Sequence, residues 1–128
     1  MTGSVRRTRK PGVTFDGFDV VITPFPFADR RTERKRPALV LSPFETFGRT
    51  TGVAVIAMIT TGRASKWPFD VPIRDLAAAG LRHPCVVRMK FATLDFRRIG
   101  PKVGTLSAGD SREIAIALRR FFPIAAAD

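Results

Sequence analysis

The fold is indicated first by two neighbouring stretches, Phe18-Asp-Val-Val-Ile-Thr-Pro-Phe25 and Ala38-Leu-Val-Leu-Ser42. The first is rich in β-branched and aromatic residues and is closed by Pro24 and Pro26, which is typical of a β-strand. The second is a short apolar run of the same kind. The charged stretch Asp29-Arg-Arg-Thr-Glu-Arg-Lys-Arg36 lies between them. We therefore expect two consecutive strands joined by a basic loop.

Short strand-like segments continue along the chain, separated by turn signals. They are Val53–Ile59, Trp67–Ile73, Cys85–Met89, Phe91–Leu94 and a segment near Lys102–Thr105. Two prolines within Trp67–Ile73 favour an edge strand, because proline lacks the N–H that a central strand needs. Asp75–Ala79, stopped by Gly80, predicts one or two helical turns.

The C-terminal segment gives the clearest helix signal. Ile114, Leu118 and Phe121 recur at helical spacing, and Ser107 with Asp110 three residues later can form a capping box. Many short strands with one closing helix predict a mainly β fold, a small and strongly bent barrel with a C-terminal α-helix.

The composition fits one domain that binds a polyanion. The chain has 128 residues and weighs 14.1 kDa, and 45% of its residues are hydrophobic. Its 22 Lys and Arg against 11 Asp and Glu give a net charge of +11, which favours nucleic acid or an acidic protein as partner. Residues 1–12 are basic and almost without apolar side chains, so they predict a disordered arm ahead of a single domain at 13–128. The arm serves either as a solubilising tail or as an extra phosphate contact.

Several chemistries are excluded by what the sequence lacks. One cysteine and one histidine rule out a disulfide framework and a zinc site with several nitrogen and sulfur ligands. The longest apolar run, Val53–Ile59, is far shorter than the roughly 20 residues of a membrane span, and no secretory signal is recognisable. We expect a cytoplasmic protein without a metal or other cofactor. A nucleophilic pair of Cys85 with His83 can be considered, but Cys85 opens an apolar strand, which favours a core position.

Two features are candidates for chemistry on a phosphodiester. Arg36 ends the basic loop directly before Pro37, which favours extended geometry at Arg36. In Ile59-Thr-Thr-Gly-Arg63 an apolar strand stops in two hydroxyls, a glycine and an arginine. RNA carries its own nucleophile, the 2′-hydroxyl, so a protein need only align it and stabilise the phosphorane oxygens. On composition alone, a solvated basic loop and a Thr-Thr-Gly turn are the simpler interpretation.

The order of these motifs resembles a known family. Phe18-Asp-Val-Val-Ile-Thr-Pro-Phe-Pro-Phe-Ala-Asp29 and Lys35-Arg-Pro-Ala-Leu-Val-Leu-Ser42 resemble the opening of the PemK/MazF toxins of type II toxin–antitoxin systems. The resemblance continues in the same order through Ala57–Thr61, Trp67–Val71, Gly80–Leu81, Pro84–Arg88, Thr93–Asp95 and Lys102–Ser107. It covers nearly everything after the arm.

The resemblance implies an SH3-like barrel with a C-terminal helix that forms a homodimer. It implies a metal-independent endoribonuclease that cuts single-stranded RNA, mRNA included, at short sequences, leaving a 2′,3′-cyclic phosphate and a 5′-hydroxyl. It also implies a cognate antitoxin that lays an acidic segment over the RNA groove.

The same resemblance implies two catalytic positions. The arginine before Pro-Ala falls on Arg36, and the threonine that ends the third strand falls on Thr60. Because a neutral arginine is scarce, we expect Arg36 to stabilise charge and Thr60 to donate to a phosphate oxygen. RNA contacts are expected from Arg30, Arg31, Arg34, Lys35, Thr61 and Arg63.

The sequence departs from the family pattern in a few places. Phe18 stands where glycine is usual, Cys85 replaces a common serine, and residues 29–36 are richer in arginine. Trp67 sits where an aromatic is common, and a lone aromatic beside prolines is more typical of packing than of base stacking. Two other functions stay open: a gyrase-targeting toxin of the same fold, and a non-catalytic RNA-binding barrel.

Overall fold

The structure is a computed structural model that describes residues 14–25, 34–62 and 67–124. These residues form a six-stranded antiparallel sheet with strand order β4-β5-β3-β2-β1-β6. The strands are β1 (Asp19–Phe25), β2 (Arg34–Val40), β3 (Val53–Thr61), β4 (Val71–Pro72), β5 (Cys85–Asp95) and β6 (Lys102–Thr105). The helical segments are a π-helical turn (Phe44–Gly48), α1 (Arg49–Thr51), α2 (Leu76–Ala79), a 3-10 turn (Phe96–Arg98) and α3 (Ala108–Phe121). The mainly β fold with a C-terminal helix is confirmed.

The sheet curls until the segment after one edge strand reaches the other edge. Helix α2, which follows β4, packs against β6 at the far end of the strand order. Two glycines permit this approach. A Cβ on Gly80 would overlap the carbonyl of Val103, and a Cβ on Gly104 would overlap the backbone of Ala79. The result is the strongly bent barrel that the sequence predicts.

Each face of the sheet buries its own apolar cluster, because alternate residues of a strand point to opposite faces. What we call the first face carries Val21, Ala38, Ile56, Met58 and Leu94. The second face carries Val20, Leu39, Ala57, Ile59 and Val87, and α3 covers it with Ile114 and Leu118. Helix α3 therefore lies on the second face, which leaves the strand ends of the first face outside its cover.

Of the two hydrogen bonds of the predicted capping box at the start of α3, the structure confirms the one to the Ser107 side chain. Ser107 Oγ accepts a hydrogen bond from the Asp110 N–H at 3.1 Å, as an N-cap should. The Asp110 carboxylate accepts instead from the N–H groups of Arg74 at 3.1 Å and Asp75 at 2.9 Å. This buried carboxylate ties the start of α3 to the segment after β4.

Several element boundaries differ from the prediction. Strand β2 begins at Arg34, so the end of the predicted basic loop is strand. The segments Cys85–Met89 and Phe91–Leu94 form one strand, Cys85–Asp95. At the predicted edge strand only Val71–Pro72 pairs with a neighbouring strand, and Trp67 precedes it in a turn.

The predicted arm, residues 1–12, lies outside the described residues. In the ranges that the structure describes, no helix is long and apolar enough to cross a membrane.

Phe18 adopts a left-handed backbone with φ of 74°, which explains why glycine suits this position. Hydrogen bonds on both sides hold it there. Its N–H donates to the Val40 carbonyl at 2.7 Å, and its carbonyl accepts from the Leu106 N–H at 3.0 Å. Its partly buried ring packs against the cluster of the second face. The phenyl packing therefore offsets a backbone strain that glycine would avoid.

Candidate functional site

Arg36 lies inside β2, which corrects the expectation that it stands at the exit of a loop. In the pairing of β1 with β2, Arg36 is opposite Thr23, and the ladder continues to Arg34 opposite Phe25. Arg36 is half-buried and its Nε atom is buried. The pairing of β2 with β1 therefore fixes the backbone of Arg36. Its guanidinium is held more firmly than it would be on a loop.

Thr60 lies near the end of β3. The register between β2 and β3 relates its position to that of Arg36. The β2–β3 ladder pairs Ala38 with Met58, and the same register continued by two residues sets Arg36 opposite Thr60. Alternation from Ala38 and Met58 puts both side chains on the first face. Side chains directly opposite each other on one face have Cβ atoms about 5 Å apart. A cation and a hydroxyl thus share one end of the first face.

The predicted RNA contacts divide between the two faces. Arg34 is exposed and shares the first face with Arg36, whereas Lys35, between them, points to the second face. Thr61 is exposed and pairs with Cys85, also on the second face. Arg30, Arg31 and Arg63 lie outside the described residues. Of the predicted set, the structure therefore places Arg34 on the same face as Arg36 and Thr60.

The sequence reasoning missed a second polar group on the first face, formed by Arg88 and Asp70. Arg88 Nε donates to Asp70 Oδ1 at 3.2 Å and Nη2 donates to Oδ2 at 2.9 Å. The hydrogen bonds from Arg88 to Asp70 raise the pKa of the Arg88 guanidinium, so it stays charged. Val86, two residues before Arg88 on β5, pairs with Thr60. The available signal was a lone arginine in the apolar run Cys85–Met89.

The Cys85 thiol is unsuited to nucleophilic attack. Cys85 is buried, and this burial raises the pKa of its thiol. Its Sγ donates to the backbone carbonyl of His83 at 3.1 Å, so the His83 imidazole is not its partner in this bond. The predicted core position is confirmed, and a protonated buried thiol is a poor nucleophile.

Within the described ranges, no three His, Cys, Asp or Glu side chains come together as a group that could hold a metal ion. The charges at the described end of the first face are instead mainly cationic: Arg34 and Arg36 on β2 and Arg88 and Lys90 on β5. Asp70 is engaged by Arg88. Such an arrangement can bind a polyanion and present both a guanidinium and a hydroxyl to one phosphate.

The fold and the site together define a small basic β-barrel protein with a cation and a hydroxyl at one end of the first face of its sheet. The chain belongs to the family described as PemK-like, MazF-like toxins of type II toxin–antitoxin systems, whose family profile matches residues 16–122. A sequence search of curated proteins finds no match.

Solved structures share the fold over most of the chain. MazF from Deinococcus radiodurans is 26% identical with a TM-score of 0.67, covering 87% of this chain and 98% of that one. The Mycobacterium tuberculosis toxin MazF-mt6 is 24% identical with a TM-score of 0.67, over 84% and 99%. An endoribonuclease in complex with its cognate antitoxin from a mycobacterial species is 18% identical with a TM-score of 0.68, over 88% and 98%. At these last two identities the likeness concerns the fold.

Proposed function

We propose that this chain is the endoribonuclease toxin of its toxin–antitoxin system and cleaves single-stranded RNA without a metal ion. The observation that carries the proposal is the β2–β3 register, which, continued two residues beyond Ala38–Met58, sets Arg36 across from Thr60 on one face of the sheet. Family membership supports it, as does the description of a structural neighbour as an endoribonuclease bound to its antitoxin.

The chemistry requires one nucleophile, which the RNA supplies. The ribose 2′-oxygen attacks the adjacent phosphorus and loses its proton to solvent, while the bond from phosphorus to the 5′-oxygen breaks. The departing 5′-oxygen takes a proton from water, so the products are a 2′,3′-cyclic phosphate and a 5′-hydroxyl. Negative charge grows on the phosphorane oxygens in between, and donors fixed there lower the barrier.

Arg36 and Thr60 divide the stabilisation of this charge. Arginine side chains are permanent cations in proteins, so the role assigned to Arg36 is charge stabilisation rather than that of a base. The Thr60 hydroxyl donates to a non-bridging oxygen from the neighbouring strand. The proposed contacts to the RNA backbone are Arg34 on the first face, Lys35 and Thr61 at the same strand ends on the second face, and Arg30, Arg31 and Arg63.

The partners follow from the charge of +11. We expect single-stranded RNA and an acidic antitoxin segment to bind the same cationic surface, because both are negatively charged and are attracted to the same positive side chains. Structural neighbours include MazE–MazF from Deinococcus radiodurans and a mycobacterial endoribonuclease with its antitoxin. A homodimer in the cytoplasm is part of the same proposal.

The test is digestion of a long single-stranded RNA by the purified protein in excess EDTA, analysed on a denaturing gel. We expect discrete fragments from the wild type and intact RNA with Arg36→Ala. Binding without cutting, measured by a gel shift, would support the non-catalytic barrel. An intact RNA together with inhibition of DNA supercoiling by purified gyrase would support the gyrase-targeting alternative. Either result would contradict the proposal.

A further inference from the structure

Trp67 is an exposed aromatic ring in a position where the sequence predicts packing. The side chain is 44% exposed, although it is the only tryptophan of the chain and a large apolar surface. It opens the turn that leads into β4, in which the Asp70 N–H donates to the Trp67 carbonyl at 3.3 Å. An indole that served only the core would be buried more completely.

The turn that carries Trp67 is anchored on both faces of the sheet. Phe69 packs edge-to-face on Phe121 of α3 at 5.6 Å between ring centroids, on the second face. Asp70, whose side chain is only 7% exposed, makes the two hydrogen bonds to Arg88 on the first face. Two independent contacts therefore fix the residues beside Trp67, while its ring stays accessible.

A cation orders the ring itself. The Arg88 Cζ atom lies 4.9 Å from the centroid of the Trp67 ring, and Lys90 Nζ lies 6.0 Å from it. Because Asp70 holds the guanidinium from the side, Arg88 is fixed beneath the indole rather than free to swing. Arg88 thus orders the indole, and the 44% of the Trp67 side chain that stays exposed offers a surface on which a planar ligand can stack.

Strand register places this ring beside the proposed cleavage site. Thr60 pairs with Val86, and Arg88 is two residues further along β5 on the same face. Diagonal neighbours of this kind are about 7–8 Å apart. The indole over Arg88 is therefore close to any nucleotide whose phosphate lies at Thr60.

We propose that Trp67 is a stacking platform for an unpaired RNA base next to the cleaved phosphodiester, with Arg88 and Asp70 as the residues that position it. This inference rests on the proposed function and names how the same site holds its substrate. Stacking tolerates any base, because every base has a π-face, so Trp67 orients the RNA without by itself fixing the sequence. The surrounding cations suit a nucleotide, which brings a phosphate with each base.

The chain offers a direct probe, since it has one tryptophan and no tyrosine. The cleaved sequence is first mapped on a long RNA, and an oligonucleotide of that sequence is made with a 2′-deoxy nucleotide at the cut. Titration of the wild type with this oligonucleotide should quench tryptophan emission in parallel with binding followed by the anisotropy of a label on the RNA. Binding with unchanged emission would overturn the stacking role and leave the proposed nuclease intact.

Three variants distinguish a loss of stacking from a loss of apolar side-chain volume. Trp67→Phe keeps an aromatic ring, whereas Trp67→Leu keeps apolar volume without a π-face. We expect Trp67→Leu to weaken binding of the uncleavable oligonucleotide by about 10-fold or more, and Trp67→Phe to retain most of it. Asp70→Asn should give a smaller loss, because the ring remains but Arg88 is held less firmly.

The outcomes distinguish the two proposals. Equal affinity of Trp67→Leu and the wild type, with both folded by circular dichroism, would refute the platform even if RNA is cut normally. Equal losses in Trp67→Leu and Trp67→Phe would assign Trp67 a packing role and also overturn the platform. A wild-type protein that neither binds nor cuts RNA would overturn the proposed function itself, and this inference with it.

Discussion

Replacing Arg36 by alanine removes one cation from strand β2, at the position that the β2–β3 register, continued two residues beyond Ala38–Met58, sets across from Thr60. The chain keeps 21 of its 22 Lys and Arg residues, so the summed field that attracts RNA is nearly unchanged. At the phosphorane the same substitution removes a fixed donor, which is worth about 2–4 kcal/mol, or roughly 30- to 10³-fold in rate. We therefore expect a large fall in the cleavage step and a small fall in binding.

The assay is single-turnover cleavage of a labelled oligonucleotide at saturating protein, with affinity measured separately on its uncleavable form. Arg36→Lys keeps the charge but loses the planar fork, so its rate should lie between the wild type and Arg36→Ala. Arg112→Ala is the charge-matched control, because Arg112 is exposed on α3, which covers the opposite face. Its cleavage rate should equal that of the wild type.

Two results would refute this reasoning. An Arg36→Ala protein with a wild-type melting curve and a near wild-type rate would show that Arg36 takes no part in the chemistry. A variant whose affinity falls as far as its rate would show that Arg36 only binds RNA.

Three further predictions concern the site, the backbone and the arm. Thr60→Ala should slow cleavage by about 10-fold, less than Arg36→Ala, and Thr61→Ala less again because Thr61 points to the other face; matched single-turnover rates decide the order. Phe18→Gly should be more stable than Phe18→Ala by about 1 kcal/mol in urea unfolding, since only glycine relieves the left-handed backbone, and equal stabilities would contradict that conformation. Deleting residues 1–12 should flatten the salt dependence of RNA affinity by about 0.7 for each phosphate that the arm neutralises, with cleavage retained; an unchanged slope would show that the arm neutralises no phosphate.

Local sequence patterns predicted the elements whose signals are local. The β-branched run of β1 and the helical spacing of Ile114 and Leu118 describe one element each, and the Ser107 cap needs only the next turn. The pairing of Arg36 with Thr60 came from family resemblance and stays a prediction, with which the β2–β3 register, continued beyond Ala38–Met58, agrees.

Features that depend on pairing between distant strands were missed. Residues 34–36 resemble a loop because they are charged, yet β1 supplies their hydrogen-bonding partners and makes them strand. The Arg88–Asp70 ion pair joins residues 18 positions apart that meet only when β4 pairs with β5. Trp67 resembles part of an edge strand, but pairing there begins at Val71, so the indole is held in a turn.

The central claim, metal-independent cleavage by the RNA's own 2′-hydroxyl, is tested most directly by the chemistry of the fragment ends. The wild-type protein digests a single-stranded RNA in excess EDTA, and mass spectrometry identifies both new termini. We expect a 2′,3′-cyclic phosphate on one side and a 5′-hydroxyl on the other, with neither formed by Arg36→Ala. Fragments that appear only after magnesium is restored, ending in a 3′-hydroxyl and a 5′-phosphate, would contradict the account.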